Sequence, residues 1–394
     1  MDAVTKLDLK VLVITDKSQV FSEYFPEKVI TINFEQWQES IENIRAWSVK
    51  FDLKAVIGVD EESIILAANL SEFLGIKHNS LESVKLTKDK YLMRKALKDS
   101  GLKSPWFKRF SVNETPKDIV TEISFPCVLK PTFLSASQGV IRADNVSEFC
   151  ISFEILSGLL SQEEMKIQGG DQANWILVEE YISGKEVSIE GIVNEGKLKE
   201  LAIFDKPEPL EGPTFPETIF ITPALLSEQL QISLLETAQT ALEALGIIKG
   251  PVHVELRINK NGNYILECAA RSIGGLCSKV LEFEGGMSLE ELILRSALGR
   301  NIEKTNLVGK AKGVMMLPTE KRGILREIRG AEAALSMKGI TEMEITIKPG
   351  EMLEPLPTGG RYLGFLFAEG KDQYSVIKDL KTAWSKIEII SEKI

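Results

Sequence analysis

Two neighbouring segments, residues 252–258 and 264–269, restrict the fold more than any other feature of the sequence. In the first segment apolar residues alternate strictly with polar ones, which include His253 and Glu255. The second segment is apolar apart from Glu267 and follows a turn rich in Asn and Gly. Because successive side chains of a strand point to opposite faces, the pattern predicts an antiparallel hairpin with one face in a core and one charged face.

The register of this hairpin decides whether Glu255 and Glu267 are paired across the two strands. With a three-residue loop that ends on Gly262 in the left-handed conformation, Glu255 pairs with Glu267. With a two-residue Asn261-Gly262 turn, the two acids fall on opposite faces. Paired carboxylates without His or Cys offer hard oxygen ligands, which suit Mg²⁺ shared with substrate phosphates. A solvated sheet face with unrelated acids is the alternative interpretation.

Composition narrows the chemistry further. The 394 residues contain only two histidines, His78 and His253, which excludes multi-histidine metal sites. The 47 Lys and Arg against 57 Asp and Glu give a net charge of −10. With no basic run, neither nucleic acid nor an anionic membrane is expected as a partner. Four cysteines without a CxxC pair, and no signal peptide or 18-residue apolar run, predict a cytoplasmic protein.

The order of the local patterns predicts three units. Residues 1–86 form an N-terminal α/β domain, and residues 87–303 form a larger α+β body. Within that body, residues from about 105 to 180 form a smaller lid subdomain. Residues 304–394 combine strands, Gly/Pro turns and a closing helix in a mostly β unit.

Individual elements are predicted from the same patterns. Apolar runs at 11–14 and 55–59 predict strands, and a helical pattern that stops at Gly75 follows the second of them. Together they predict a parallel βαβ start. Thr87 is the predicted N-cap of a helix that ends at Gly101.

A lysine and a loop of small residues follow one short apolar strand. Lys130 ends that strand, and the loop includes Ser135, Ser137 and Gly139. Backbone amides of such a loop can cover phosphate groups. A solvent-facing lysine before an ordinary turn is the alternative, because lysines are mostly exposed.

A second strand runs into a group of acids. Glu179, Glu180 and Glu186 surround the apolar Ile182. An adenine pocket needs apolar walls, backbone hydrogen-bonding groups and a carboxylate for the ribose hydroxyls, and this segment offers all three. An acidic strand end is the alternative.

Arg271 lies four residues beyond Glu267 and is followed by a Gly274-Gly275 turn. A guanidinium group beside a metal-binding acid suits a transferring phosphoryl group or an acyl phosphate. A surface arginine is the alternative interpretation.

The order of these elements along residues 5–300 resembles the ATP-grasp superfamily. Residues 253–255 and 266–271 are most similar to the L-amino-acid (dipeptide) ligases. The resemblance implies an α/β and α+β chain with the ATP-grasp fold, a Rossmann-like pre-ATP-grasp domain before it and a mostly β ligase domain after it. Ala269 stands where many ATP-grasp enzymes have Asn, a difference that favours the dipeptide-ligase group.

The resemblance also implies roles for individual residues. The ATP phosphates would be bound by Lys90, Lys130 and the loop with Ser135, Ser137 and Gly139. The adenosine would be bound by Glu179, Glu180, Ile182, Leu266 and, at the ribose, Glu186. Mg²⁺, with Mn²⁺ as a substitute ion, would be bound by Glu255 and Glu267. The acyl phosphate and the amino acids would be handled by Arg271, Lys130, Glu61 and His253.

The resemblance implies ATP-dependent formation of an amide or peptide bond between a carboxylate and an amine, with amino acids as the expected substrates. The reaction would pass through an acyl phosphate and release ADP and phosphate. The partners would be small molecules, and a homodimer is left open. Two alternatives stay open: a purine-biosynthetic or carboxylase-type ATP-grasp enzyme, and a non-catalytic nucleotide-binding protein. An NAD-dependent oxidoreductase is disfavoured because the sequence has no GxGxxG motif.

Overall fold

The computed structural model describes residues 2–16, 29–302 and 305–393. The α-helices of these residues are α1 Asp2–Lys6, α2 Ile41–Phe51, α3 Ser63–Leu74, α4 Leu81–Lys88, α5 Lys90–Asp99, α6 Pro116–Ile119, α7 Val146–Leu160, α8 Glu163–Gly169, α9 Glu228–Ala244, α10 Leu289–Ala297, α11 Ala331–Leu335 and α12 Gln373–Trp384. None of the helices in these ranges is long and apolar enough to cross a membrane. The predicted domain boundary at 303/304 lies outside the described residues.

The strands of the same ranges are β1 Val13–Thr15, β2 Val29–Thr31, β3 Phe107–Ser111, β4 Cys127–Pro131, β5 Ile141–Ala143, β6 Trp175–Glu180, β7 Lys185–Asn194, β8 Lys197–Lys206, β9 Ile219–Thr222, β10 Lys249–Asn259, β11 Gly262–Ala269, β12 Ala311–Leu317, β13 Gly323–Arg329, β14 Ile340–Ile345, β15 Met352–Leu353, β16 Gly364–Gly370 and β17 Glu388–Glu392.

The largest sheet has eight strands in the order β11-β10-β7-β8-β9-β12-β16-β14. Its first five strands come from the middle of the chain and its last three from the C-terminal part, and β9 pairs with β12 at the junction. Helix α9 packs on one side of β11, and α12 packs on β12 and β16. The C-terminal unit therefore extends the central sheet, while β15, β13 and β17 form a small separate sheet.

A four-stranded sheet, β3-β6-β4-β5, forms the predicted lid region. Helix α7 covers it and contributes Phe149, Phe153 and Leu156, each at most 1% exposed. These side chains belong to an apolar core whose buried members all lie between residues 110 and 178. Since this core is built from one continuous segment, the region is packed on its own.

The N-terminal region contains the parallel pair β1 and β2. Helix α3 ends at Gly75, which has a φ of +66°, as the sequence predicts. The strand predicted at 55–59 is wrong, since the structure gives these residues no strand. The chain there runs against the start of α3: a Cβ on Gly58 would lie 2.7 Å from Ile64 Cα.

The predicted N-cap of the following helix is also wrong. Thr87 lies inside α4, and its hydroxyl donates to the Val84 carbonyl at 2.8 Å. Asp89 caps α5 instead, accepting from the backbone N–H groups of Tyr91 and Leu92 at 2.8 and 3.1 Å. As a result Lys90 is the first residue of α5 and its backbone is fixed at that helix start.

Candidate active site

The β10–β11 hairpin brings the two predicted acids together. Glu255 is paired with Glu267 across the two strands. The turn, however, has two residues, Lys260 and Asn261, and closes with Asn259 opposite Gly262, so neither turn considered from sequence is present. A bulge at Leu266 adds one residue to β11 and restores the pairing of the acids.

Glu255 belongs to a group of four side chains that we call the acidic cluster: the buried Lys206 and Glu186 and the half-buried Glu217 and Glu255. The Lys206 ammonium lies 2.7 Å from Glu186, 2.6 Å from Glu255 and 3.6 Å from Glu217. Arg257 donates to the other oxygen of Glu186 at 2.9 Å. One ammonium group thus stands among three carboxylates on the polar face of the central sheet.

Charge pairing inside the acidic cluster shifts its pKa values in opposite directions. Burial lowers the pKa of Lys206, but the carboxylates of Glu186 and Glu255 outweigh it and hold that pKa well above its ordinary value. Burial raises the pKa of Glu255, but Lys206 and His253 hold it well below its usual range. Burial raises the pKa of Glu217, and the more distant Lys206 does not reverse the shift. Glu217 therefore takes up a proton more readily than Glu255 does.

His253 stands beside this cluster on β10. Its Nδ1 contacts the carboxylate of Glu190, and its Nε2 lies 3.4 Å from Glu255. Burial lowers the pKa of His253, but Glu190 outweighs this effect and raises it to about 10. The ring is thus held as an imidazolium, while the second Glu190 oxygen accepts from the Ile273 N–H at 2.9 Å.

A second group of buried charges, which we call the basic cluster, consists of Arg94, Lys130, Lys90 and Glu179. Glu179 accepts from Arg94 Nε at 2.8 Å and contacts the Lys130 ammonium. Burial raises the pKa of Glu179, but these two cations outweigh it and lower the value to about 2. The pKa of Lys130 is lowered, and burial is the main cause. The positive charges of Arg94 and Lys90 also lower this pKa, while the carboxylate of Glu179 acts in the opposite direction.

Lys90 connects the basic cluster to Glu267, the residue paired with Glu255 across the hairpin. Its ammonium donates to the Leu134 carbonyl at 2.8 Å and lies 3.3 Å from a Glu267 oxygen. Lys90, Lys130 and Glu267 all line the same cleft. This is the arrangement expected for binding a polyanion beside a cation.

The two clusters line a first cleft of about 790 Å³. Its lining includes the following residues for which the sequence predicts a role: Lys90, Lys130, Ser135, Ser137, Glu179, Glu180, Ile182, Glu186, Glu255, Leu266 and Glu267. Gly139 lies behind the surface, and its N–H donates to the Pro357 carbonyl at 2.7 Å. The carboxylate of Glu179 is fully engaged with Arg94 and Lys130, so its predicted contact with adenine stays a prediction.

A second cleft of about 1650 Å³ adjoins the first and shares Glu217, Glu255 and Glu267 with it. Arg271 and Glu61 line it and form an ion pair, with Nε and Oε1 2.8 Å apart. His253 lines the same cleft. Arg271, Glu61 and His253 are the remaining residues predicted to handle substrates, and they thus lie together in the second cleft.

The donor set suits a divalent cation that is shared with a ligand. Glu255 and Glu267 are hard oxygen donors on paired positions. No group of three or more His, Cys, Asp or Glu converges as a metal site within the part of the chain that the structure describes. An ion held by these two acids would therefore need further oxygen atoms from substrate phosphates, as is usual for Mg²⁺.

Sequence reasoning missed five charged residues of the site. Glu217 and Arg257 line the clefts. The other three lie behind the lining and pair with residues of it: Arg94, Glu190 and Lys206. Lys206 had a usable signal, because it ends an apolar strand just as Lys130 does. Glu190 and Arg257 also stand at alternating positions of β7 and β10. Glu217 follows no pattern, because it lies in the irregular segment between β8 and β9.

Comparison with known families agrees with this geometry. Residues 123–280 match the ATP-grasp domain, and residues 315–392 match the L-amino acid ligase C-terminal domain 2. The chain therefore contains an ATP-grasp domain. Its C-terminal part is of the kind found in L-amino acid ligases, which confirms the resemblance inferred from the sequence.

Two ligases are among the relatives of this chain. The chain is 28% identical over 271 residues to an alanine–anticapsin ligase of Bacillus subtilis strain 168, a match that covers 65% of this chain and 56% of that protein. It is 22% identical over 302 residues to an L-arginine-specific L-amino acid ligase of Bacillus subtilis, covering 76% and 71%. The chain thus spans little more than half the length of the first relative.

Among solved structures, an L-amino acid ligase from Bacillus licheniformis matches with a TM-score of 0.85 at 23% identity. The match covers 100% of this chain and 95% of that one. The fold predicted from the sequence, an ATP-grasp fold with an α/β region before it and a mostly β region after it, is confirmed.

Proposed function

We propose that this protein is an ADP-forming ligase that uses ATP to join the carboxyl group of one amino acid to the amino group of another. One observation carries the proposal: the first and second clefts share the wall formed by Glu217, Glu255 and Glu267. A nucleotide in the first cleft would present its γ-phosphate at this wall. A carboxylate in the second cleft would meet it there.

In the first step, a carboxylate oxygen attacks the γ-phosphorus and ADP leaves, giving an acyl phosphate. Lys90 and Lys130 bind the phosphate oxygens and offset their charge. The basic cluster has three cations to one carboxylate of its own, so it has positive charge available for a polyanion. Glu179 holds Lys130 and Arg94 in place from behind.

In the second step, the amine nitrogen attacks the acyl carbon and a C–N bond forms. Phosphate leaves with the electrons of the C–O bond and takes up the proton that the nitrogen loses. Arg271, held by Glu61, stabilises the negative charge on the acyl phosphate. Glu255 and Glu267 would hold Mg²⁺, or Mn²⁺ in its place, and the ion supplies further neutralisation of the phosphate charge. His253 keeps Glu255 ionised and in position.

The division into units 1–86, 87–303 and 304–394 belongs to this proposal, with a lid at about 105–180. The continuous core of the lid region supports that subdomain. The shared eight-stranded sheet means that the last two units are packed as one body. The cytoplasmic location and the homodimer stay predictions.

The test is ADP and phosphate release on a matrix of amino-acid pairs, with the dipeptide identified by mass spectrometry. We expect release that needs two amino acids, and an acyl hydroxamate when hydroxylamine replaces the amine. Glu267→Gln should lower the rate by about a thousandfold, since one charge-stabilising group in a transition state is worth ~10²–10³. Glu236→Gln, an exposed acid on α9, is the matched control.

Two results would contradict the proposal. One is the absence of hydroxamate with every amino acid under conditions where ATP binds. The other is a rate in Glu267→Gln equal to that of the control. Turnover with bicarbonate or a ribonucleotide, but with no amino-acid pair, would favour the carboxylase or purine-biosynthetic alternative.

A further inference from the structure

The small-residue loop, residues 135–139, is anchored on a segment of the C-terminal unit, residues 355–360. Gln138 Nε2 donates to the Thr358 carbonyl at 2.7 Å. The Gly139 N–H donates to the Pro357 carbonyl at 2.7 Å. More than 200 residues separate the two segments in sequence, so this contact exists only because the fold brings them together.

The conformation of the loop depends on such external contacts. Ala136 and Ser137 have φ values of +52° and +57°, a left-handed conformation that L-residues with a Cβ rarely adopt. Inside the loop, the Gln138 N–H donates to the Ser135 carbonyl at 3.1 Å. Two consecutive residues in this conformation persist only when surrounding structure holds them.

The anchoring segment is itself rigidly built. The Thr358 hydroxyl donates to Glu354 at 2.7 Å, and the Gly359 N–H donates to the Pro355 carbonyl at 2.9 Å. A Cβ on Gly359 would lie 1.8 Å from the Glu354 carbonyl oxygen. The carbonyl that accepts from the Gln138 amide is therefore presented from a fixed turn.

The loop also lies where its position affects both clefts. Ser135 and Ala136 line the first and the second cleft, and the loop follows Leu134, whose carbonyl accepts from Lys90. A shift of the loop would therefore displace the walls around the predicted phosphate position. The segment 355–360 also continues into Tyr362, whose hydroxyl accepts from the Glu217 N–H at 3.1 Å.

We propose that Gln138 is a positioning residue: its side-chain amide, bound to the Thr358 carbonyl, fixes the loop 135–139 over the phosphate-binding end of the first cleft. The C-terminal unit thus acts on nucleotide binding without touching the nucleotide. This proposal rests on the proposed function for its kinetic consequence, but the anchoring itself does not.

Two variants test the anchor from its two sides. Gln138→Glu keeps the length of the side chain but replaces the donor with a carboxylate that cannot donate to a carbonyl. Gly360→Ala adds a Cβ 2.8 Å from Gln138 Oε1 and pushes the amide away, at a glycine whose φ is not positive. Gln229→Glu, an exposed position on α9, makes the same chemical change elsewhere.

The first measurement is hydrogen exchange of the full-length protein without added ligand. In both anchor variants the amides of residues 138–140 should exchange about tenfold faster than in wild type, the effect of losing a hydrogen bond of ordinary strength. The exchange rates of the α9 amides and the unfolding temperature should be the same as in Gln229→Glu. Unchanged exchange at 138–140 in both variants overturns the proposal, whether or not the protein makes dipeptides.

The second measurement is steady-state kinetics with ATP as the varied substrate. We expect the KM for ATP to rise about tenfold in both anchor variants while kcat changes less than twofold. A general loss of structure would instead reduce the amount of active enzyme. It would lower the apparent kcat and leave the KM as in wild type, and that result also overturns the positioning role. If wild type turns over no amino-acid pair, the proposed function fails, while hydrogen exchange still decides the anchor.

Discussion

The two clusters of charge at the first cleft are built in opposite ways. In the basic cluster one carboxylate, Glu179, stands between two cations. In the acidic cluster one ammonium, Lys206, stands among three carboxylates. The first has positive charge left over and suits a polyanion, and the second has negative charge left over and suits a cation.

The comparison shows how an acidic chain can bind a polyanion. The net charge of −10 describes the whole sequence, whereas Lys90 and Lys130 line one cleft and Arg94 lies behind them, paired with Glu179. The central ion of each cluster should be the most costly to remove, because it leaves several buried charges of one sign without a partner. The predictions below test that contrast, from the largest expected effect to the smallest.

Removing the central ammonium of the acidic cluster should have the largest effect. Lys206→Met keeps the length of the side chain but leaves three buried or half-buried carboxylates together. The free energy of unfolding, measured with urea at pH 7, should fall by about 4 kcal/mol. Lys185→Met removes the exposed partner of one buried carboxylate, Asp205, and should therefore cost less than Lys206→Met. Equal losses in the two variants would refute the contrast.

Neutralising the central carboxylate of the basic cluster comes next. Glu179→Gln should lower the free energy of unfolding by about 3 kcal/mol at pH 7, since it leaves Arg94 and Lys130 buried without their counter-ion. The pKa of Glu179 falls from its ordinary 4.5 to about 2, so its contribution is present above pH 4.5 and is lost as the pH falls through 2. An acid unfolding profile as steep in Glu179→Gln as in wild type would contradict this assignment.

The imidazolium beside the acidic cluster should give a smaller effect on the alkaline side. The pKa of His253 rises from its ordinary 6.5 to about 10, so its contribution is fully present below pH 6.5 and is lost as the pH rises through 10. His253→Gln should cost about 2 kcal/mol at pH 6 and flatten the loss of stability between pH 6.5 and 10. The same alkaline slope in both proteins would show that another group causes it.

Removing a lysine that stands between two carboxylates at the exposed surface should have the smallest effect on stability. Lys279 lies 2.5 Å from Glu342 and 2.8 Å from Glu344, but all three side chains are more than a third exposed. Lys279→Met should change the free energy of unfolding by less than about 1 kcal/mol, because water screens these charges. A loss as large as in Lys206→Met would mean that the number of partners, and not burial, sets the cost.

The candidate site could be predicted wherever its residues follow a local pattern. Alternation in β10 and β11 identified the paired acids, and strand ends identified Lys130 and Glu179. The turn between the acids could not be predicted, because a bulge at Leu266 compensates for a shorter turn. The number of residues between Glu255 and Glu267 depends on the turn length and on the bulge together, so the sequence does not show how much each contributes.

The fold could be predicted to a similar degree. The hairpin of β7 and β8, helix α9 and the strands of the C-terminal part follow from periodicity and turn residues. The strand expected at 55–59 failed because an apolar run does not reveal whether a partner strand is available. That the C-terminal strands extend the central sheet is a non-local pairing, which no local pattern contains.

The sequence by itself determined the chemistry of this protein: two histidines leave carboxylates, lysines and arginines to do the work, and strand periodicity selects which of them share a polar face. Only the tertiary structure decided how these charges are paired. Arg94, Glu179 and the Ile265 carbonyl come from three distant segments, and so do Lys206, Glu186 and Glu255. The physical reason is that a pKa shift or an ion pair depends on burial and on distance in space, and both are set by the packing of the whole chain.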